Sequence, residues 1–191
     1  PLNSRNPSTP SNSSNGVKKP SVSVVIPAYN EAAILETNLG ILCDYMKGLE
    51  AEYDWEMVIV NDGSTDKTGD IADAFAKTRN NVTVLHHMFN FRLGQALRYA
   101  FNNCRGDIVV VMDSDLSYSP DHIGRMLAKM KESRAKIVIV SPYAKGGKVS
   151  NVPWLRKVMS VWANRFIAFF ARDRFLDKLT TITGMVRAYD R

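Results

Sequence analysis

The chain has little of what marks several common functional classes. Its 191 residues hold two cysteines, Cys43 and Cys104, far apart and in neither a CxxC nor a zinc spacing. Two thiols in a chain of this length suit a reducing compartment. The three histidines, His86, His87 and His122, form no metal-ligand spacing. His86 reads as the end of a strand and His122 as part of a helix's first turn. There is no secretory h-region and no run of 18 apolar residues, so these residues carry no signal peptide and no bilayer-spanning helix. No GxGxxG follows a strand and no GxxxxGK[ST] occurs, which argues against nicotinamide chemistry and a P-loop. No fixed-period repeat appears. What remains is ordinary globular composition, 45% hydrophobic and 23% charged, in a length that suits one domain with a sizeable core.

Charge is unevenly spread. Residues 1–141 carry 15 Lys+Arg against 16 Asp+Glu, and residues 142–191 carry 10 against 3. The whole basic excess therefore lies in the last quarter. Such a cluster suits nucleic acid, anionic lipid or a phosphate-bearing substrate, and a solvated face is the plain alternative.

Residues 1–20 contain only Leu2 and Val17 as apolar residues other than proline, and read as a disordered leader. An alternation begins after them. Strands are expected at 22–27 (stopped by Pro27), 55–61, 82–87, 107–113 and 137–141. Helices are expected at 31–47, 66–78, 93–103 and from about 120 to 132, the last opened by Ser119 as N-cap and Pro120 at its first position. Strands without polar alternation, separated by helices, predict an α/β domain with a mainly parallel sheet. After 141 the pattern changes. Residues 153–175 place Leu155, Val158, Trp162, Phe166 and Phe169 on one helical stripe, with Arg156, Lys157, Arg165, Arg172 and Arg174 supplying charge. This is either a core helix or a helix lying against a membrane surface.

In doubly wound sheets, ligands bind outside the carboxyl ends of the strands. The first four strands here all end in polar or acidic segments: Pro27-Ala28-Tyr29-Asn30-Glu31, then Asn61-Asp62-Gly63-Ser64-Thr65-Asp66, then Asn90-Phe91-Arg92-Leu93-Gly94, then Asp113-Ser114-Asp115. Asp66 alone is explained as a cap or turn residue, and Asn-Asp-Gly-Ser is good turn chemistry. Four such strand ends on one edge predict a site. Two carboxylates one residue apart repel, and a hard cation between them offsets that cost. Mg²⁺ or Mn²⁺ takes oxygen ligands, often one or two carboxylates completed by substrate phosphates.

The stretches SVVIPAYNEA, VIVNDGSTDKT, N-x-R-x-G-x-A (90–96) and DSDLSYSP resemble family 2 glycosyltransferases of the GT-A fold, a Rossmann-like, mainly parallel sheet flanked by helices. The resemblance runs from about residue 21 to 191, taken as one domain with a truncated C-terminal end. The later segments SPYAKGGKVSNVPWLRKVMSVWAN and TITGMVRAYDR are similar to the polyprenyl-phosphate branch, which includes dolichyl-phosphate mannose synthases. The resemblance implies that Pro27, Tyr29, Glu31, Asp62 and Arg92 hold a nucleoside-diphosphate sugar, UDP- or GDP-linked. It implies that Asp113 and Asp115 hold a divalent cation, Mg²⁺ or Mn²⁺, and the diphosphate. Lys145, Arg156 and Ser160 are then assigned to the acceptor phosphate, with Asp115 and Arg156 as the catalytic pair. Three departures stand out. Ser117 replaces a Gln that often contacts the metal, Pro142 replaces an acceptor-side Arg, and TGMVRAY is one residue longer than the usual SGFRAY. A divergent subgroup with a different sugar is expected.

The chemistry expected from this resemblance is transfer with inversion to a polyprenyl phosphate. A phosphate monoester has its second pKa near ~6, so it is mostly ionised at neutral pH and needs cations rather than a general base. The acids beyond Asp115 are Asp121, Glu132, Asp173, Asp177 and Asp190, none in the Glu-Asp motif that hydroxyl-using relatives place late in the domain. The alternatives are a transferase acting on a polysaccharide or glycolipid hydroxyl with Asp173 or Asp177 as base, a nucleotide-sugar binding module without turnover, and a nucleotidyltransferase. The expected partners are the sugar nucleotide, the prenyl phosphate and a membrane surface met through 153–175, with no nucleic acid. The expected location is cytoplasmic, peripheral at the inner face of a membrane, with anchoring segments beyond residue 191.

Overall fold

A computed structural model describes residues 18–141, 162 and 184–191. The element order is β1 (Ser21–Ala28), α1 (Leu35–Lys47), β2 (Asp54–Asn61), α2 (Thr68–Ala76), β3 (Val82–His86), α3 (Arg92–Asn103), β4 (Ile108–Val111), α4 (Asp121–Ser133), β5 (Ile137–Ile139) and β6 (Arg187–Asp190). The strands form one sheet in the order β3-β2-β1-β4-β6-β5. The pairs β1–β2, β2–β3 and β1–β4 are parallel, and β6 runs antiparallel to both β4 and β5. The chain winds from β1 outward to β3, then crosses back to β4. The strand order therefore reverses between β1 and β4, where a crevice opens in folds of this type.

The pleat of β1 explains the two-sided core. Val22, Val24 and Ile26 face one way, against Leu35, Leu39, Leu42 and Met46 of α1, Phe75 of α2 and Ile123 and Leu127 of α4. Val25 faces the other way, with Val58, Val60, Val109 and Val111, against Ala96 and Ala100 of α3. The two alanines let α3 lie close on the sheet. Each fully buried Leu or Ile contributes about 1.5–3 kcal/mol. Both thiols, Cys43 and Cys104, are buried and free.

Four sequence expectations shift. Pro27 does not stop β1, which runs on to Ala28 and keeps its register with β2 through Pro27↔Val60 and Ala28↔Asn61. Val25 turns its carbonyl to β4, accepting from the Met112 N–H at 3.0 Å. Pro27, two residues on, turns its missing donor the same way, past the last paired residue of β4, so no ladder bond is lost. The first helix begins at Leu35 rather than 31; residues before it form turns in which the Glu31 carbonyl accepts from the Ile34 and Leu35 N–H groups at 3.1 and 3.0 Å, while the Glu31 N–H donates to Thr68 Oγ1 and the Ala32 N–H to Asp66 Oδ2. Helix α4 begins one residue late, at Asp121, and the Ser119 hydroxyl bonds the Asp121 carboxylate instead of capping an N–H. Finally, β6 is a strand that the sequence pattern does not announce. Its Arg187 and Asp190 ends disguise a four-residue strand that buries only Ala188 deeply and packs Tyr189 on Phe101.

A buried carboxylate fastens the other end of the sheet. Glu56 accepts from Ser23 Oγ at 2.6 Å and from the Arg105 N–H and Nε at 2.6 and 2.7 Å. Burial pushes its carboxyl up, but these hydrogen bonds and the Arg105 charge outweigh burial and hold it below the usual 4.5. The Arg105 side chain is largely exposed, so most of the benefit comes from Ser23 and the backbone N–H. Glu56→Gln is expected to lose about 2 kcal/mol at neutral pH. The folded carboxyl titrates below the unfolded one, so this stabilisation is complete above pH 4.5 and disappears as pH falls through the lower folded value. Denaturant melts of both proteins should differ at pH 7 and converge on acidification. A gap that persists in acid would assign the loss to packing instead.

Candidate functional site at the sheet switch point

The loops after β1, β2, β3 and β4 enclose a cleft of about 480 Å³. Its walls include Pro27, Tyr29, Glu31, Asp62, Arg92, Asp113 and Asp115. All the candidate residues from the first four strand ends thus meet in one place. Ser114, Asn90, Leu93 and Met185 also border it. Lys145, Arg156 and Ser160, and the helix expected at 153–175 apart from Trp162, lie outside the described residues, as does the leader through residue 17.

The Asp113-Ser114-Asp115 turn is shaped by its own side chains. Leu116 takes a left-handed conformation, φ 50°, which turns the chain back. The Ser117 N–H then donates to Asp115 Oδ1 at 2.9 Å, and Ser117 Oγ donates to Asp113 Oδ2 at 3.0 Å. Asn38 Nδ2 donates to the Ser114 carbonyl at 2.8 Å, tying the turn to α1. Among the described residues, four non-glycine residues have positive φ, and three of them border this cleft: Asn30 and Leu116 in its loops and Arg92 at the first position of α3. Backbone strain of this kind collects at functional sites. No sequence signal points to Arg92 or Leu116 as strained.

The first two loops are laced together. The Asn30 N–H donates to Ser64 Oγ at 3.1 Å, and Asn30 Oδ1 accepts from the Thr65 N–H at 2.9 Å. Asp66 acts as a turn residue just before α2, its Oδ1 accepting from the Thr68 N–H at 2.9 Å, and its Oδ2 also accepts from the Ala32 N–H. Gly63, at φ 67°, passes so close to the next loop that an added Cβ would sit 2.2 Å from the Phe89 carbonyl carbon. Asp62 is buried, and its Oδ1 accepts from the Phe91 N–H at 3.0 Å and contacts His87 Nδ1 at 2.7 Å. The His87 ring stacks on Tyr99. Sequence reasoning misses His87 as a site neighbour; its position directly after β3 is the available signal.

The electrostatics of the cleft are unfavourable without a positive charge. Burial pushes the Asp113 carboxyl above its usual range; the Ser117 hydroxyl opposes that, and the Asp115 charge adds to it. Burial, Asp115 and Asp66 likewise raise Glu31. Asp113 Oδ1 is the one buried side-chain polar atom without a partner among the described residues. Such an atom costs about 1–3 kcal/mol unless something binds it. No group of three His, Cys, Asp or Glu side chains gathers among the described residues. A hard cation needs no such cage when phosphate oxygens complete its shell, so the Asp113–Asp115 pair fits Mg²⁺ or Mn²⁺.

Comparison with known proteins agrees with this arrangement. The chain is 37% identical over 171 residues to an undecaprenyl-phosphate mannosyltransferase of Micrococcus luteus, covering 88% of this chain and 65% of that protein. It is 36% identical over 139 residues to a dolichol-phosphate mannosyltransferase of Pyrococcus furiosus, covering 73% of this chain and 38% of that protein. The chain thus spans less than two thirds of these curated relatives. In structure it resembles glucosyl-3-phosphoglycerate synthase of Mycobacterium tuberculosis, solved with Mn²⁺, UDP and phosphoglyceric acid: TM-score 0.64, 22% identity, 90% of this chain and 56% of that one. It also resembles a mannosyltransferase of Pyrobaculum calidifontis in complex with GDP-Man and Mn²⁺: TM-score 0.62, 21% identity, 92% of this chain and 46% of that one. The sheet with its single antiparallel strand, the cleft at the switch point and a match of residues 23–191 to the model of glycosyl transferase family 2 lead to one conclusion: the chain belongs to that family.

Proposed function

We propose that the domain transfers a hexosyl group from a UDP- or GDP-linked sugar to a polyprenyl phosphate at a membrane surface, with inversion at the anomeric carbon. The observation that carries this reading is Asp113 Oδ1, buried beside Asp115 without a partner among the described residues, in a cleft bordered by the other strand-end residues. A divalent cation on these two carboxylates supplies charge neutralisation for the diphosphate. Tyr29, 44% exposed at the mouth, and Glu31 and Asp62 would bind and orient the base and ribose, with Pro27 shaping the wall and Arg92 adding a positive charge. An ionised acceptor oxygen attacks the anomeric carbon from the side opposite the diphosphate; the bond from that carbon to the diphosphate oxygen breaks, and the nucleoside diphosphate leaves. No side chain has to remove a proton from such an acceptor. Lys145, Arg156 and Ser160 would hold its phosphate, in the quarter of the chain that carries the basic excess. The polyprenyl names of the curated relatives support this choice over a hydroxyl acceptor.

Membrane contact is assigned to 153–175. Trp162 in that segment is helical and 70% exposed, which suits an interfacial ring better than a core one. Sedimentation with vesicles containing anionic lipid should carry the protein down, and Arg156→Glu, Lys157→Glu and Arg165→Glu together should release it. Binding indifferent to anionic lipid and to these substitutions removes this assignment. The donor site is tested by calorimetry of sugar nucleotides with and without Mn²⁺. Binding that requires both the ion and Asp115 supports the reading; binding untouched by Asp115→Ala defeats it.

A further inference from the structure

Asp62 offers a donor nucleotide only half of its carboxylate. Its Oδ1 already accepts two hydrogen bonds, from the Phe91 N–H at 3.0 Å and from His87 Nδ1 at 2.7 Å. The second contact requires the His87 proton on Nδ1, since the carboxylate can only accept. Both donors are held in place. The His87 ring is stacked on Tyr99 with centroids 5.0 Å apart and meets Phe91 edge-on at the same separation. The His87 N–H donates to the Asn61 carbonyl at 2.9 Å, continuing the β3 ladder. The Asp62 N–H donates to the Ala28 carbonyl at 3.0 Å, which fixes the backbone from which the carboxylate hangs. Oδ2 takes no hydrogen bond among the described residues, and Asp62 lines the cleft.

The bases differ in what they present to one carboxylate oxygen. Uracil has a single ring N–H between two carbonyls. Guanine has two adjacent donors, a ring N–H and an amino group, which pair best with both oxygens of a free carboxylate. Cytosine has a bare ring nitrogen at this edge, an acceptor that repels a carboxylate. We infer that the base subsite is matched to uracil, and that the donor is a UDP-sugar rather than a GDP-sugar. This rests on the proposal that Asp62 meets the base. The fold does not decide the matter, because the neighbours of similar fold were solved with UDP in one case and GDP-Man in another.

The test measures binding of UDP, GDP and CDP to the intact chain with saturating Mn²⁺. A guanine donor left without its second acceptor predicts UDP tighter than GDP by roughly tenfold to a hundredfold. CDP should also bind more weakly than UDP. Two variants separate this cause from general damage. His87→Asn places an amide N–H where the ring N–H stood and should keep the preference. His87→Leu frees one claim on Oδ1 and should narrow the UDP-to-GDP ratio, whereas loss of fold would lower both affinities together. GDP binding as tightly as UDP overturns the inference and leaves the donor site standing. CDP matching UDP also overturns it, since selection would then follow base size. Binding of none of the three overturns the inference together with the donor reading beneath it.

Discussion

Asp113→Asn is expected to reduce sugar transfer by about 100- to 1000-fold while leaving the fold as stable as before, or more so. The first part follows from position. Asp113 Oδ1 is buried with no partner among the described residues, and Asp115 is the next carboxylate along a turn that gathers both. Removing one preorganised charge at the place where the leaving group's charge must be neutralised typically costs that factor. The second part follows from the cost of keeping the charge. Burial raises the Asp113 carboxyl and Asp115 adds to the rise, so the ionised form is disfavoured in the folded chain. A carboxyl raised on folding destabilises the protein at every pH above its folded value, and the neutral amide removes that penalty. Thermal melts without a divalent ion should therefore show the variant melting at the same temperature or higher. Mn²⁺ with a sugar nucleotide should raise the wild-type melting temperature and not the variant's. A variant that melts lower and still responds to Mn²⁺ would make Asp113 a structural residue.

The second large effect is expected at a residue that has no side chain. Gly63→Ala should cost about 3 kcal/mol and lower transfer roughly 100-fold. The new Cβ would lie 2.2 Å from the Phe89 carbonyl carbon and 2.5 Å from the Asn90 N, both backbone atoms that cannot swing aside. The left-handed φ of 67° adds strain for any side chain. Relief requires the loop after β3 to retreat, and that loop carries the Phe91 N–H that holds Asp62 and the Arg92 that borders the cleft. Gly40→Ala is the control. Gly40 lies inside α1, a Cβ there meets nothing within 4 Å among the described residues, and alanine should stabilise the helix by about 0.5–1 kcal/mol. Equal losses at the two glycines, in chemical melts and in turnover, would show that the loop contact is not what matters.

The regular elements and the cleft are legible in the sequence for physical reasons. Val22 to Ile26 and Val109 to Met112 are largely apolar runs because their strands are covered on both faces. The four polar strand ends fall together because parallel strands present the same end to the same edge. Of the two readings of Asp66, cap or turn residue, the turn holds. What cannot be read depends on contacts between distant segments. The turns that precede α1 are held by Thr68 and Asp66, more than 30 residues away. Strand β6 has too few apolar residues to reveal its pairing with β4 and β5 before the fold exists. Ser117 also does more than its place in the motif suggests: it bonds Asp113 and Asp115 and so shapes the pair. His87 looks like an idle histidine in the sequence because nothing near it along the chain points to Asp62.

The measurement that bears most directly on the proposed activity is mass spectrometry, with NMR of the anomeric centre, of the products formed from a sugar nucleotide, polyprenyl phosphate in vesicles and Mn²⁺. The expected result is a glycosyl phosphoprenol whose anomeric configuration is opposite to the donor's, with one nucleoside diphosphate released per transfer and neither formed by Asp115→Ala. A sugar joined to a hydroxyl, release of pyrophosphate, or donor bound without any product would contradict it.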